Sequence, residues 1–151
     1  MRIYAHRGAS GDFPEGSMAA YWAAIEQGAD GFECDVRLTK DKQIICYHDK
    51  DAKRLANLDL EIAKSTFSQL KKSINPFRLD ELLDLAILNK KDLVIEFKHQ
   101  FQQEVRSKNR CINYWLAKGM KSQTVELKYF SSHFPTLPYY VIKKVLIAVD
   151  S

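Results

Sequence analysis

The sequence predicts an α/β fold, a (β/α) barrel of the TIM type. Three observations carry this. Short strand-like runs at 2–5, 31–37, 43–47 and 93–98 are separated by runs with helical apolar spacing near 17–27 and 79–87. Such alternation argues for parallel βαβ units. Charged residues gather where the strands end: His6 and Arg7, Glu33, Asp35 and Arg37, His48 and Asp49, Glu96 and Lys98. Barrels of this type collect their active sites on that rim. The count is about five or six strands against the eight of a closed barrel. The expectation is therefore an incomplete barrel, as a single domain over residues 1–151.

The first strand, Arg2 to Ala5, runs into His6-Arg7-Gly8 and a loop of turn-forming residues, 9–16. Ser17 is a good N-cap. Met18, Tyr21, Trp22 and Ile25 follow at i, i+3, i+4 and i+7, which assigns them to one buried helical face closed by Gly28. In the strand 31–37, Phe32, Cys34 and Val36 share one face, while Glu33, Asp35 and Arg37 share the other. After the turn at 38–42, Gln43 to Tyr47 forms another strand, ending at His48-Asp49.

Residues 50–75 are less regular, with a capping box of Thr66 and Gln69 starting a short helix. Leu79, Leu82, Leu83, Ala86 and Ile87 mark a helix after Pro76. Leu93 to Lys98 is a strand, with Leu93, Ile95 and Phe97 on one face and Val94, Glu96 and Lys98 on the other. A helix over 101–118 and a strand over 124–130 follow. Pro135 and Pro138 mark an irregular piece, and the last stretch, 140–149, reads equally as strand or buried helix.

Composition narrows the function classes. The 46% hydrophobic and 28% charged content is that of a globular domain, and the net charge is only +4. Basic residues are scattered, without the dense stripe interleaved with aromatics that nucleic-acid binding requires. No apolar run approaches the roughly 20 residues of a membrane span. The chain enters its first strand without a signal peptide, and Cys34, Cys46 and Cys111 lack metal-ligand spacing. Buried thiols in a reducing cytoplasm are expected, with neither a disulfide nor zinc.

The chemistry lies on the polar faces. Two carboxylates aimed the same way from an apolar strand are costly to bury unless something pairs with them. On strand parity His6, Glu33, Asp35, Cys46, His48, Glu96 and Lys98 all face the barrel lumen. Three carboxylates, Glu33, Asp35 and Glu96, could hold one magnesium or calcium ion, which would bind phosphate oxygens. His6 and His48, on opposite sides of a phosphate, could serve as general base and general acid. Arg7 and Lys98 could neutralise the phosphate, one as a fork and one as a point charge. Phosphodiester hydrolysis is the reaction these parts fit.

Glu15 reads as a substrate or metal contact, or as a charge favouring the helix N-terminus. Asp49 supports a turn or orients His48. Arg37 faces the lumen and could pair with a carboxylate there. Arg54 reads as a loop charge, and His99 and His133 as surface residues.

These motifs resemble a known family. Ala5-His6-Arg7-Gly8, Pro14-Glu15, the run 28–36 with Leu38-Thr39-Lys40-Asp41, His48-Asp49 and Ile95-Glu96-Phe97-Lys98 match glycerophosphodiester phosphodiesterases in order and spacing across 2–98. The resemblance implies a TIM barrel that cleaves glycerophosphodiesters into an alcohol and glycerol 3-phosphate with a divalent cation. It implies Glu33, Asp35 and Glu96 as metal ligands, His6 and His48 as the acid–base pair, and Arg7 and Lys98 as phosphate contacts. It also implies attack by a substrate hydroxyl and a cyclic intermediate that water opens.

The sequence departs from the family's pattern at Gly16-Ser17, where Asn and Thr are usual, and its late strands are missing or unrecognisable. An open barrel exposes a sheet edge and apolar lumen, for which self-association is one remedy. Two further readings stand beside hydrolysis of small glycerophosphodiesters. One is a catalytically silent barrel fragment or binding module. The other is a related lipase or sphingomyelinase-like enzyme sharing the same rim.

Overall fold

The alternating run around Glu33 becomes the central strand of the sheet. The computed structural model describes residues 1–98, 125–129 and 143–145. In chain order these form β1 (Tyr4–His6), α1 (Met18–Glu26), β2 (Gly31–Leu38), β3 (Ile44–Cys46), α2 (Lys53–Ala56), α3 (Phe67–Ser73), α4 (Leu79–Leu88), β4 (Asp92–Phe97), β5 (Val125–Tyr129) and β6 (Lys143–Val145). The expected helix at 101–118, the irregular piece at Pro135 and Pro138, Cys111, His99 and His133 lie outside the described residues.

The sheet order is β1-β2-β4-β5-β6, with β3 also paired to β2. β1, β2, β4 and β5 run parallel, as the βαβ reading requires. Two strands do not. β3 pairs antiparallel with β2, and β6 antiparallel with β5. The connection from Leu38 to Ile44 is too short for a crossover, so the chain can only fold back as a hairpin. The final stretch, ambiguous by periodicity, contains a strand at Lys143–Val145.

The hairpin corrects one placement. Cys46 was expected to face the lumen with His48. The register pairs Cys46 with Val36, and paired residues share a face. Cys46 therefore packs into the apolar core with Val36 and Cys34, both fully buried. Both thiols are free. His48 lies beyond the end of β3, where strand parity no longer applies.

The core sits on the helical side of the sheet. Phe32, Cys34, Val36, Leu93, Ile95 and Phe97 are all fully buried there, against Leu79, Leu82, Leu83 and Ala86 of α4. A smaller cluster of Ile45, Ile62 and Leu70 lies under the excursion from β3 to α3, whose N-terminus carries the expected Thr66–Gln69 capping box.

Helix α1 starts as expected, with Ser17 Oγ accepting the Ala20 N–H at 3.2 Å, and gives way to Gly28 at φ +80°. Its buried face differs. Tyr21 is 1% exposed, and Ala20, Ala23 and Ala24 are buried, whereas Trp22 is 46% exposed. Met18 and Ile25 are only partly buried. The helix approaches the chain through its alanines: a Cβ on Gly8 would lie 2.6 Å from the Ala20 carbonyl carbon. Close approach favours the small residues, and Tyr21 fills the remaining space edge-on to Phe32 and Phe77, with ring centroids 5.4 and 5.8 Å away.

Candidate active site

The polar face of β2 organises the site. β1 and β3 follow one another along the same edge of β2: the Glu33 carbonyl accepts the Arg7 N–H at 3.1 Å, and the Asp35 carbonyl accepts the Tyr47 N–H at 2.9 Å. β4 occupies the opposite edge, where the Val36 carbonyl accepts the Lys98 N–H at 3.2 Å. The chain thus brings His6, Arg7 and His48 to one side of the carboxylates, and Glu96 and Lys98 to the other. Register pairs His6 with Glu33 and Asp35 with Glu96.

Glu33, Asp35 and Glu96 each offer an oxygen, and these atoms lie within 4.8 Å of one another. Among the described residues this is the group with the donors to hold a metal ion. Asp35 is buried, with one oxygen 2.8 Å from Arg7 Nε and the other 3.1 Å from Lys98 Nζ. Apart from these two ion pairs, neither oxygen has a hydrogen-bond partner among the described residues. Lys98 Nζ also contacts Glu96. Glu33 accepts the Arg7 backbone N–H at 3.2 Å, and His6 Nε2 lies 3.8 Å from its carboxylate. Burial, then the negative charges of Asp35 and Glu96, push the Glu33 carboxyl up to about 7.

Arg7 has φ +57°, the left-handed region. Its Nη1 donates to Glu15 at 3.1 Å. Glu15 also accepts from both terminal nitrogens of Arg54, which hold its carboxyl below the usual range. Arg54 Nε donates to Asp49 at 2.7 Å, and the other Asp49 oxygen lies 2.7 Å from His48 Nδ1. One chain of charges thus runs from His48 through Asp49, Arg54, Glu15 and Arg7 to Asp35.

The chain of charges borders a cavity of about 270 Å³ whose lining includes Arg7, Glu15, Asp35 and His48 together with Tyr47, Leu55, Ile74 and Phe77. Among the described residues Arg37 pairs with no carboxylate. It donates to the backbone carbonyls of His48 at 2.8 Å and Lys98 at 3.2 Å, tying the two sides of the rim together. Gly16 has φ +65°, a conformation Asn also tolerates, and a Cβ there would meet nothing within 4 Å. The loop therefore keeps a backbone shape open to either residue.

Arg54 is the residue that sequence reasoning missed. Its partner Glu15 lies 39 positions away, and no periodicity links them.

Comparison with known proteins places the fold and the sequence in a family. The sequence matches the Glycerophosphoryl diester phosphodiesterase family over residues 6–143. It is 35% identical over 127 residues to the uncharacterized protein YqiK of Bacillus subtilis, covering 83% of this chain and 51% of that protein. It is 45% identical over 69 residues to a probable glycerophosphodiester phosphodiesterase 1 of Mycobacterium tuberculosis, covering 46% of this chain and 25% of that one. The chain thus spans about half or less of the length of these relatives.

The fold superposes on the glycerophosphodiester phosphodiesterase of Thermotoga maritima with a TM-score of 0.71 and 28% identity, covering 88% of this chain and 64% of that one. An Oleispira antarctica phosphodiesterase, solved in complex with the product sn-glycerol-3-phosphate, superposes with a TM-score of 0.76 at 22% identity, over 87% of this chain and 58% of that one. These neighbours are TIM barrels, and the strands described here form part of such a barrel. With a sequence match across nearly its whole length and a shared sheet architecture, the chain belongs to the glycerophosphoryl diester phosphodiesterase family.

Proposed function

We propose that this protein is a divalent-cation-dependent phosphodiesterase that hydrolyses small glycerophosphodiesters to an alcohol and glycerol 3-phosphate. The observation that carries this reading is the convergence of Glu33, Asp35 and Glu96 within 4.8 Å, with cationic side chains beside them. The site fits a hard cation. The donor set is all carboxylate oxygen, and among the described residues the two buried Asp35 oxygens have no directed hydrogen bond. Glu33, Asp35 and Glu96 would hold magnesium or calcium, which supplies charge neutralisation at the phosphoryl oxygens.

The remaining roles belong to the chain's own residues. Arg7 and Lys98, the two cations beside Asp35, would meet the non-bridging phosphate oxygens. His48 and His6 serve as the acid–base pair. One takes the proton from the attacking glycerol hydroxyl and the other protonates the departing alcohol oxygen; water then opens the resulting cyclic phosphate to glycerol 3-phosphate, with the two histidine roles exchanged. Asp49 is ionised, since its hydrogen bonds from His48 and Arg54 outweigh burial and lower its carboxyl. It can only accept, so His48 Nδ1 carries the proton and Nε2 is left as the base. Glu15, between two arginines on the cavity wall, is placed to accept from a substrate hydroxyl.

The reading places the reaction in the cytoplasm, where the buried free thiols Cys34 and Cys46 would persist, and treats residues 1–151 as a single domain acting without nucleic acid. No described helix is long and apolar enough to cross a membrane. Self-association is the way we expect any exposed sheet edge to be covered.

The test is release of glycerol 3-phosphate from glycerophosphocholine with magnesium or calcium, against a chelator control. Chelator-sensitive turnover supports the reading, with loss in His48→Ala. A cooperatively folding protein without turnover in either metal would instead indicate a silent portion of the barrel.

A further inference from the structure

We propose that Arg54 is a positioning residue that sets the tautomer and orientation of His48 by holding Asp49; this rests on the hydrolytic reading of the site. The guanidinium is engaged along its length. Nε donates to one Asp49 oxygen at 2.7 Å, Nη1 to one Glu15 oxygen at 3.1 Å, and Nη2 to the other. Asp49 has its second oxygen 2.7 Å from His48 Nδ1. The carboxylate is therefore shared between an arginine that fixes where it sits and an imidazole that it orients. The Nη1–Nη2 fork on Glu15 fixes the plane of the guanidinium, so Nε presents one fixed donor to Asp49 and limits where the second Asp49 oxygen can point. An outer partner of this kind fixes which ring nitrogen keeps the proton, as it does for metal-bound histidines.

The position of Arg54 in the chain suits the task. It lies on α2 (Lys53–Ala56), six residues past His48, and reaches back across the cavity rim to Glu15 in the loop after β1. Glu15 is also bound by Arg7, whose Nε faces Asp35. Arg54 thus locks the loop bearing His48 to the loop bearing Arg7. Three of its donors are already taken, which disfavours a direct grip on substrate. Its side chain is 48% exposed, so its ion pairs contribute little to global stability. A substitution should leave the protein folded and register at His48.

The experiment is ring-nitrogen NMR of the uniformly nitrogen-15-labelled full chain, with His48 assigned through a His48→Gln variant. At about pH 8, above the ordinary histidine range, the wild type should show His48 as the Nδ1–H tautomer. Arg54→Gln should shift it measurably toward the Nε2–H form, and Asp49→Asn should disturb it in the same way. An Arg54→Gln spectrum with the His48 tautomer unchanged overturns the proposal. This readout needs no turnover, so it stands apart from the hydrolytic reading. That reading fails separately, if the wild type does not release glycerol 3-phosphate.

Where turnover is measured, Arg54→Gln should lower kcat about tenfold, with KM within about twofold. Its effect should largely vanish in an Asp49→Asn background. A raised KM with unchanged kcat would instead make Arg54 a substrate contact and would overturn the positioning role.

Discussion

Arg7 Nε lies 2.8 Å from a buried Asp35 oxygen, reached from a backbone in the left-handed region. An arginine accepts that conformation only under constraint from its surroundings. Here the constraint is visible: the Arg7 N–H is held by Glu33, and Gly8 packs against the Ala20 backbone. Backbone and side chain together thus fix Arg7 beside Asp35.

Removing Asp35 should be costly without metal. Asp35→Ala leaves Arg7 and Lys98 without the carboxylate that lies between them. The expected loss is about 3 kcal/mol, the range for breaking one side of a buried ion pair. Urea unfolding in the presence of chelator checks this. A loss below about 0.5 kcal/mol, typical of a surface substitution, would mean that Asp35 carries no such burden.

Glu33 gives the metal-free protein a specific pH response. Its folded carboxyl titrates at about 7, above the ordinary value of 4.5. Between these values the folded state holds a proton that the unfolded state has released. Its contribution is thus fully present below about pH 4.5 and is lost as pH rises through about 7. The upper bound on the loss is on the order of 3 kcal/mol. Glu33→Gln should flatten the stability profile across this window, as read by melts at stepped pH in chelator.

Tyr21 and Trp22 are adjacent yet should behave oppositely. Tyr21→Ala removes a ring packed on Phe32 and Phe77, and should cost about 3–5 kcal/mol. Trp22→Ala, on the exposed side, should stay within about 0.5 kcal/mol. Comparable losses at the two positions would contradict the helix orientation.

The contrast shows what was legible in the sequence. Strand alternation assigned Phe32, Cys34 and Val36 to the core and Glu33 and Asp35 to the polar face, because a period of two leaves no ambiguity once a strand is granted. Ser17 and the Thr66–Gln69 pair marked helix starts, because capping is local chemistry. Trp22 was misplaced because apolar spacing weights large residues, whereas α1 packs through alanines. Cys46 was misplaced because its face was inferred from His48, which lies beyond the end of β3, where alternation no longer holds. Arg54 stayed hidden because its meaning lies in Glu15 and Asp49, which only the fold brings to it.

Glu33, Asp35 and Glu96 are proposed to hold one divalent cation together. Calorimetric titration of magnesium or calcium into the chelator-treated protein tests it most directly. The account predicts one saturable site in the wild type, lost or weakened at least about tenfold in Glu96→Ala and in Asp35→Asn. Absence of binding in the wild type, or equal affinity in the variants, would contradict it.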